Sequence, residues 1–233
     1  RLGIPVCNVP DYGVDEVADQ AIGMMIALNR GFLKVERGLK DSLEPWDCRA
    51  VQPVKRLSGA TLGIVGLGRI GQATAQRARA MQMKIIAYDP YLRPGTEKVF
   101  GVEMVSFDEL LLRSDVVSLH APLTEETDGL IDNDALSKMK PNAILVNTSR
   151  GSVVDTAALV QALRSGNISG AGIDVLPIEP PREDEPLIEL WRESNETNVN
   201  LILTPHTAFY SAEAMLEIRT KTAMEVARAL RGE

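Results

Sequence analysis

The spacing of apolar residues changes near residue 60. Upstream, Val17, Ala21, Met24, Met25, Leu28 and Phe32 recur at helical intervals, which predicts one helix over 14–39 with Asp11 as its cap. The polar stretch 41–53, with Trp46 and two prolines, reads as an exposed link. From residue 61 onward, β-branched runs at 61–65, 84–88, 115–119, 143–147, 170–175 and 201–204 alternate with helical patterns at 70–81, 106–113, 133–139 and 156–165. Strand and helix in strict alternation predict an α/β fold, a doubly wound parallel sheet with crossover helices. A last amphipathic helix is predicted over 211–231. The acidic stretch 181–200 reads as an insertion with no assigned role.

Bulk properties narrow the function classes. The 233 residues suit one large domain, or a domain plus a fragment of another. A formal charge of -7, from 25 basic and 32 acidic residues, argues against nucleic acid or an anionic membrane as partner, since both demand a concentrated basic patch. Apolar runs such as 143–146 fall far short of the ~20 residues that span a bilayer. Cys7 and Cys48 show neither metal-ligand spacing nor the numbers of a disulfide framework, so free thiols in a reducing, cytoplasmic setting and no metal are expected. The sequons at Asn147, Asn167 and Asn195 read as chance, because the motif is short and Asn147 closes an apolar strand. The chain opens on Arg1, which leaves targeting signals undecided.

The first chemical motif is Gly66-Leu67-Gly68-Arg69-Ile70-Gly71, placed directly after a predicted strand and opening a predicted helix. Gly66 would permit the tight turn, Gly68 the approach of a pyrophosphate, and Gly71 close packing of helix on strand. The helix N-terminus would supply oriented N–H donors. Alone, such a motif is often just a glycine-rich turn. Here Asp89 stands at the end of the next strand, where a ribose diol would be met, so the context predicts dinucleotide binding. A carboxylate there selects NAD over NADP, although Arg93 nearby offers the opposite charge.

Two histidines, His120 and His206, both follow strand ends, the edge where open α/β sheets bind ligands. Position alone does not separate them. His206 follows the stiff Thr204-Pro205 lead, whereas His120 sits in an apolar Leu-His-Ala-Pro-Leu context. Hydride transfer to a 2-oxo acid needs an acid/base, a group to orient and charge-match it, and a cation for the substrate carboxylate. His206, Glu179 and Arg150 suit these roles and lie beyond three strand ends. Each also has an ordinary reading: a lone histidine is more often unremarkable, a Glu among prolines solvated, an Arg after a strand part of a surface ion pair. Spacing does not show that the three side chains meet.

The blocks Gly63-Ile64-Val65-Gly66-Leu67-Gly68-Arg69-Ile70-Gly71, Leu145-Val146-Asn147-Thr148-Ser149-Arg150-Gly151, Gly172-Ile173-Asp174-Val175 and Thr204-Pro205-His206 resemble the D-isomer-specific 2-hydroxyacid dehydrogenase family, and the likeness runs from Val6-Cys7-Asn8-Val9-Pro10 to the last helix. The resemblance implies a Rossmann-type NAD-binding domain. It implies that Arg150 binds substrate, Glu179 partners the histidine and His206 is the general acid/base. It further implies coenzyme contacts from Gly66, Gly68, Arg69, Ile70, Gly71, Asp89, His120, Ala121, Pro122, Thr127, Thr148, Ser149, Arg150, Asp174 and His206, with Asp174 at the nicotinamide and 122–128 along the adenosine side. The likeness also implies a homodimer through the coenzyme domain, with the long helix and the Trp46 link as contact surfaces.

Within the family, the His206-Thr207-Ala208-Phe209-Tyr210-Ser211 block and the Asp89-Pro90-Tyr91-Leu92 phrase look closest to the C-terminal-binding-protein-like dehydrogenases, where a Trp usually stands at the Phe209 position. Phosphoglycerate dehydrogenases usually carry Leu-Gly-Ala after the histidine, and this chain does not. Glu179, where formate dehydrogenases carry Gln, favours 2-hydroxy acids. The implied layout is 1–10 as a remnant of the substrate domain, 11–210 as the NAD-binding domain, and 211–233 as a helix returning to the substrate domain, most of which would precede residue 1. The expected function is NAD-dependent interconversion of a 2-oxo acid and a D-2-hydroxy acid. The alternatives are an NAD(H)-sensing dimeric scaffold, or a coenzyme-domain fragment without turnover.

Overall fold

The computed structural model describes residues 6–51, 53–93, 95–197 and 199–232, the side chains of 194–197 excepted. Residues 1–5 of the expected substrate-domain remnant lie outside the described residues.

Seven parallel strands form one sheet: β1 (Thr61–Val65), β2 (Lys84–Tyr88), β3 (Glu103–Met104), β4 (Val116–Leu119), β5 (Ile144–Asn147), β6 (Gly170–Ile173) and β7 (Leu201–Leu203), in the spatial order β3-β2-β1-β4-β5-β6-β7. The doubly wound sheet expected from the alternation is present. β4, β5 and β6 are buried along their whole length, as strands covered on both faces must be. The order reverses direction between β1 and β4, which opens a crevice at the carboxyl edge. Register makes that edge straight: Val65 pairs with Tyr88 and Leu119, Leu119 with Asn147, Asn147 with Ile173, and Ile173 with Leu203. Gly66, Asp89, His120, Thr148, Asp174 and Thr204 each follow one of these residues, so one ridge gathers them.

Helices cover both faces. On one lie α1 (Val14–Arg30), packed through Ala21, Met24, Met25 and Leu28, and α3 (Arg69–Ala80), packed through Ala75 and Ala78. On the other lie α5 (Phe107–Arg113), α6 (Asn133–Lys138), α7 (Thr156–Ser165) and α8 (Pro186–Thr197). α1 approaches β6 so closely that a Cβ on Gly172 would stand 2.9 Å from the Cβ of Met24.

Three expectations change. The helix over 14–39 is two helices, because Gly31 adopts φ 65 and ends α1, and α2 (Phe32–Asp41) starts anew with Phe32 57% exposed. Asp11 does not cap α1: Gly13 occupies that position, and Asp11 pairs with Lys221 of α9 (Ala212–Arg231) at 2.8 Å. The stretch 181–200 is no bare insertion. It holds α8, whose Leu187 and Leu190 are fully buried, as the crossover from β6 to β7. A short α4 (Thr96–Phe100) leading into β3 was also not expected. The described residues of the 41–53 link are mostly exposed, as predicted, with Trp46 75% accessible. Among the described residues no helix is long and apolar enough to cross a membrane, and no cluster of side chains could hold a metal ion.

Candidate active site

The glycine turn follows from close approach. Gly66 sits at φ 89, and a Cβ there would lie 2.8 Å from the His120 carbonyl oxygen. A Cβ on Gly71 would lie 2.2 Å from the Gly66 oxygen, so helix and strand could not seat together. Gly68 is the opposite case, with nothing within 4 Å of its Cβ position. That open face at the start of α3, where Gln72 N–H makes a helical bond to the Gly68 carbonyl and the preceding amides point outward, fits a pyrophosphate. Arg69 and Ile70 offer those amides. The Arg69 guanidinium itself turns away, to the Pro10 carbonyl at 3.2 Å.

Asp89 stands beside the turn. Its Oδ2 accepts the Leu67 N–H and its Oδ1 the Tyr91 N–H, both at 2.9 Å, which fixes the carboxylate and leaves lone pairs for a ribose diol. On the facing 122–128 loop, Thr127 Oγ1 donates to the Pro122 carbonyl at 2.7 Å and accepts the Thr124 N–H at 2.8 Å, so Thr127 shapes this wall by holding it folded.

Two unsatisfied atoms mark the middle of the ridge. His120 Nδ1 and Thr148 Oγ1 are buried without a hydrogen-bond partner, at the ends of the neighbouring strands β4 and β5. Buried polar atoms are rarely left so, and the hydroxyl or amide groups of a dinucleotide would satisfy them. Together with the Gly68 opening and the placement of Asp89, they make the residues present a fit for NAD.

His120 and His206 are now separable. His120 Nε2 bonds Ser118 Oγ at 2.9 Å, and burial pushes the imidazole down to about 4. It is therefore neutral near pH 7 and unsuited to proton transfer there. The shift has a stability consequence. Between pH 6.5 and about 4 the unfolded chain binds a proton that the folded chain refuses, so the neutral ring's contribution is present above 6.5 and is lost as pH falls through this window. Urea midpoints of wild type and His120→Gln should converge or cross as pH drops from 7 to 4, by an amount on the order of 3 kcal/mol. Parallel curves would remove His120 as the titrating group.

His206 sits at the edge in a held pose. Its Nδ1 lies 2.5 Å from Glu179 Oε2, while Glu179 Oε1 accepts the Leu176 N–H at 2.8 Å. Burial pushes the Glu179 carboxyl up, but the His206 bond, the Leu176 amide and the charges of His206 and Arg150 outweigh it and hold the group below its ordinary range. Glu179 is thus an anion at neutral pH, aimed at the ring nitrogen opposite Nε2. With side chains 43% and 34% exposed, the pair orients more than it stabilises. Behind it lies a cavity of about 550 Å³ walled by Ile188, Trp191, Leu203 and Pro205.

Asp174 builds the loop that carries His206. It is 2% exposed, and its carboxylate accepts the Thr207 and Ala208 N–H groups at 3.0 Å and the Thr204 hydroxyl, while its carbonyl accepts the His206 N–H at 2.8 Å. The expected nicotinamide contact would have to use what these inward bonds leave. Arg150 is exposed on the turn after β5, its Nη1 on the Ser149 carbonyl at 2.6 Å. Asn147, fully buried, ties that turn: its Oδ1 accepts the Ser149 N–H and hydroxyl, and its Nδ2 donates to the Arg150 carbonyl. Sequence reasoning missed Asn147 and Ser118 as site-building residues. An Asn closing an otherwise apolar strand, and a Ser two positions before a histidine, were the available signals.

A family described as D-isomer specific 2-hydroxyacid dehydrogenase, NAD binding domain, matches residues 22–208. A D-3-phosphoglycerate dehydrogenase of Mycobacterium leprae is 40% identical over 99% of this chain, and the chain spans only 42% of its length. Among solved structures, the Escherichia coli D-lactate dehydrogenase superposes with a TM-score of 0.82 at 34% identity, covering 100% of this chain and 70% of that one. An Aquifex aeolicus D-lactate dehydrogenase, solved with NAD and lactic acid, gives 0.83 at 34% identity, covering 99% and 70%.

Proposed function

The chain belongs to the NAD-binding-domain family of the D-isomer-specific 2-hydroxyacid dehydrogenases, with NAD as its coenzyme, and from that premise we propose that the protein reduces a 2-oxo acid to a D-2-hydroxy acid and catalyses the reverse. The observation that carries the proposal is the 2.5 Å pairing of His206 with Glu179 at the same sheet edge as the glycine turn and Arg150. A bound nicotinamide supplies or accepts the hydride. The chain's own residues do the rest. Arg150 takes the substrate carboxylate and polarises the carbonyl; protonated His206 gives its Nε2 proton to the carbonyl oxygen; and Glu179 stabilises the imidazolium before that transfer. In the oxidative direction neutral His206 takes the hydroxyl proton.

The same reading assigns 11–210 to coenzyme binding and 1–10 with 211–233 to the neighbourhood of a substrate domain. The exposed apolar side chains of α9, Leu216 at 68% and Leu230 at 84%, support a surface that another domain covers. A homodimer is supported by Phe32, Leu43 and Trp46, large apolar groups exposed along α2 and the link. A cytoplasmic setting is supported by cysteine usage alone, since two cysteines fall short of a disulfide framework. The likeness of 206–211 and 89–92 to the C-terminal-binding-protein-like branch, which usually carries Trp at the Phe209 position, supports Phe209 as a residue that bears on substrate specificity.

Fluorescence titration with NADH tests the coenzyme, and NADH oxidation with a panel of 2-oxo acids, from glyoxylate to longer apolar ones, tests the reaction. Asp89→Ala is expected to weaken NADH by about 10- to 100-fold, the worth of hydrogen bonds to a charged group. Wild-type NADH binding that Asp89→Ala leaves unchanged would detach Asp89 from the ribose.

A further inference from the structure

Asp89 has a companion. Tyr91, two residues on, donates its backbone N–H to Asp89 Oδ1 and its phenol hydroxyl to Glu126 Oε2. Tyr91 is 76% exposed, so no core packing fixes the ring; Asp89 holds its backbone and Glu126 its hydroxyl. Glu126 beside it pushes the Tyr91 phenol's pKa up, which keeps the hydroxyl a donor. Glu126 rides on the turn that Thr127 pins through Pro122 and Thr124, so the carboxylate comes from a folded wall. An exposed Glu is ordinarily a wandering, solvated charge. This one is drawn through Tyr91 toward the side of the turn where Asp89 would meet a ribose.

We infer that Glu126, held by Tyr91, is a second coenzyme-specificity residue, whose negative charge repels the 2′-phosphate of NADPH and leaves the 2′-hydroxyl of NADH untouched. This rests on the dinucleotide reading of the glycine turn. The ribose 2′ position sits against the acid that ends β2, and Tyr91 links that acid to Glu126, so a phosphate there would meet a second negative charge on the same side. Arg93 is the cation that could compensate, and Asp89 with Glu126 outnumbers it. Asp89 therefore does not set the preference alone, and removing it leaves a negative rim.

The test is titration of this chain with NADH and NADPH, followed by fluorescence, for wild type, Glu126→Gln, Tyr91→Phe, Asp89→Ser and Asp89→Ser/Glu126→Gln. Glu126→Gln should tighten NADPH about three- to tenfold with NADH within about twofold, as expected for one charge near a phosphate in a wet site. Tyr91→Phe should give part of that gain, because the carboxylate is released but not removed. The double variant should bind NADPH more tightly than Asp89→Ser alone, and the gain should shrink at 0.5 M salt as exposed charges are screened. An unchanged NADPH-to-NADH ratio in Glu126→Gln, in both the wild-type and the Asp89→Ser backgrounds, overturns the proposal. So does an equal gain for both nucleotides. Wild-type chain that binds neither would fail earlier, at the dinucleotide reading itself.

Discussion

His206→Ala is expected to lower turnover of a 2-oxo acid by about 10²- to 10⁴-fold, the usual contribution of a positioned general acid, while NADH affinity changes little. The imidazole is bonded to Glu179 on one nitrogen, so the other is the donor in the proposed reaction; alanine removes it and leaves Asp89 and the glycine turn intact. Glu179→Gln should fall between wild type and His206→Ala, because an amide keeps part of the hydrogen bonding but not the charge that favours imidazolium. The measurement is kcat and KM against pH for the three proteins, with NADH titration alongside. His206→Ala with undiminished kcat would take the histidine out of the reaction.

Gly151→Ala should be nearly as damaging, by a different route. A Cβ at Gly151 would stand 1.9 Å from the Leu176 carbonyl carbon and 2.3 Å from the Pro177 nitrogen. These are backbone atoms, so no side chain can swing aside. The added methyl must push the turn carrying Arg150 away from the segment that leads to Glu179. Overpacking typically costs about 1–3 kcal/mol and more where backbone must move, so a fall in urea midpoint is expected together with a loss of kcat larger than the loss of folded protein explains. Gly129→Ala, with open space at its Cβ, tests left-handed strain alone (φ 65) and should cost stability without touching turnover. A Gly151→Ala protein of normal stability and activity would mean that the two backbones separate more easily than their packing suggests.

Much of the fold was legible because its signals are local and repeated. Six of the seven strands are short apolar runs, and the turn between β1 and α3 announces itself by glycine spacing. What escaped was either too short for periodicity, like α4 and β3, or masked by its flanks, like α8, whose buried Leu187 and Leu190 sit in an acidic, Pro-rich stretch. Gly31 was visible, but apolar spacing continued through it to Phe32 and suggested one helix. The site was legible as a set of strand ends and no further. Glu179 and His206 are 27 residues apart, and nothing local measures the 2.5 Å between them. The separation of the two histidines was likewise a tertiary matter: both follow strands, and it is burial that keeps His120 neutral.

The loop around His206 has one more consequence. His206 holds φ 55, a region that non-glycine residues visit rarely, costing roughly 1–2 kcal/mol. The bonds from Asp174 to residues 204, 206, 207 and 208 keep it there, and Asp174 is continuous with β6. The loop that carries His206 is therefore tied through Asp174 to the buried strand β6. For the proposed reaction, gating motions are expected in the surface that covers the crevice and not in His206, whose backbone Asp174 holds in place.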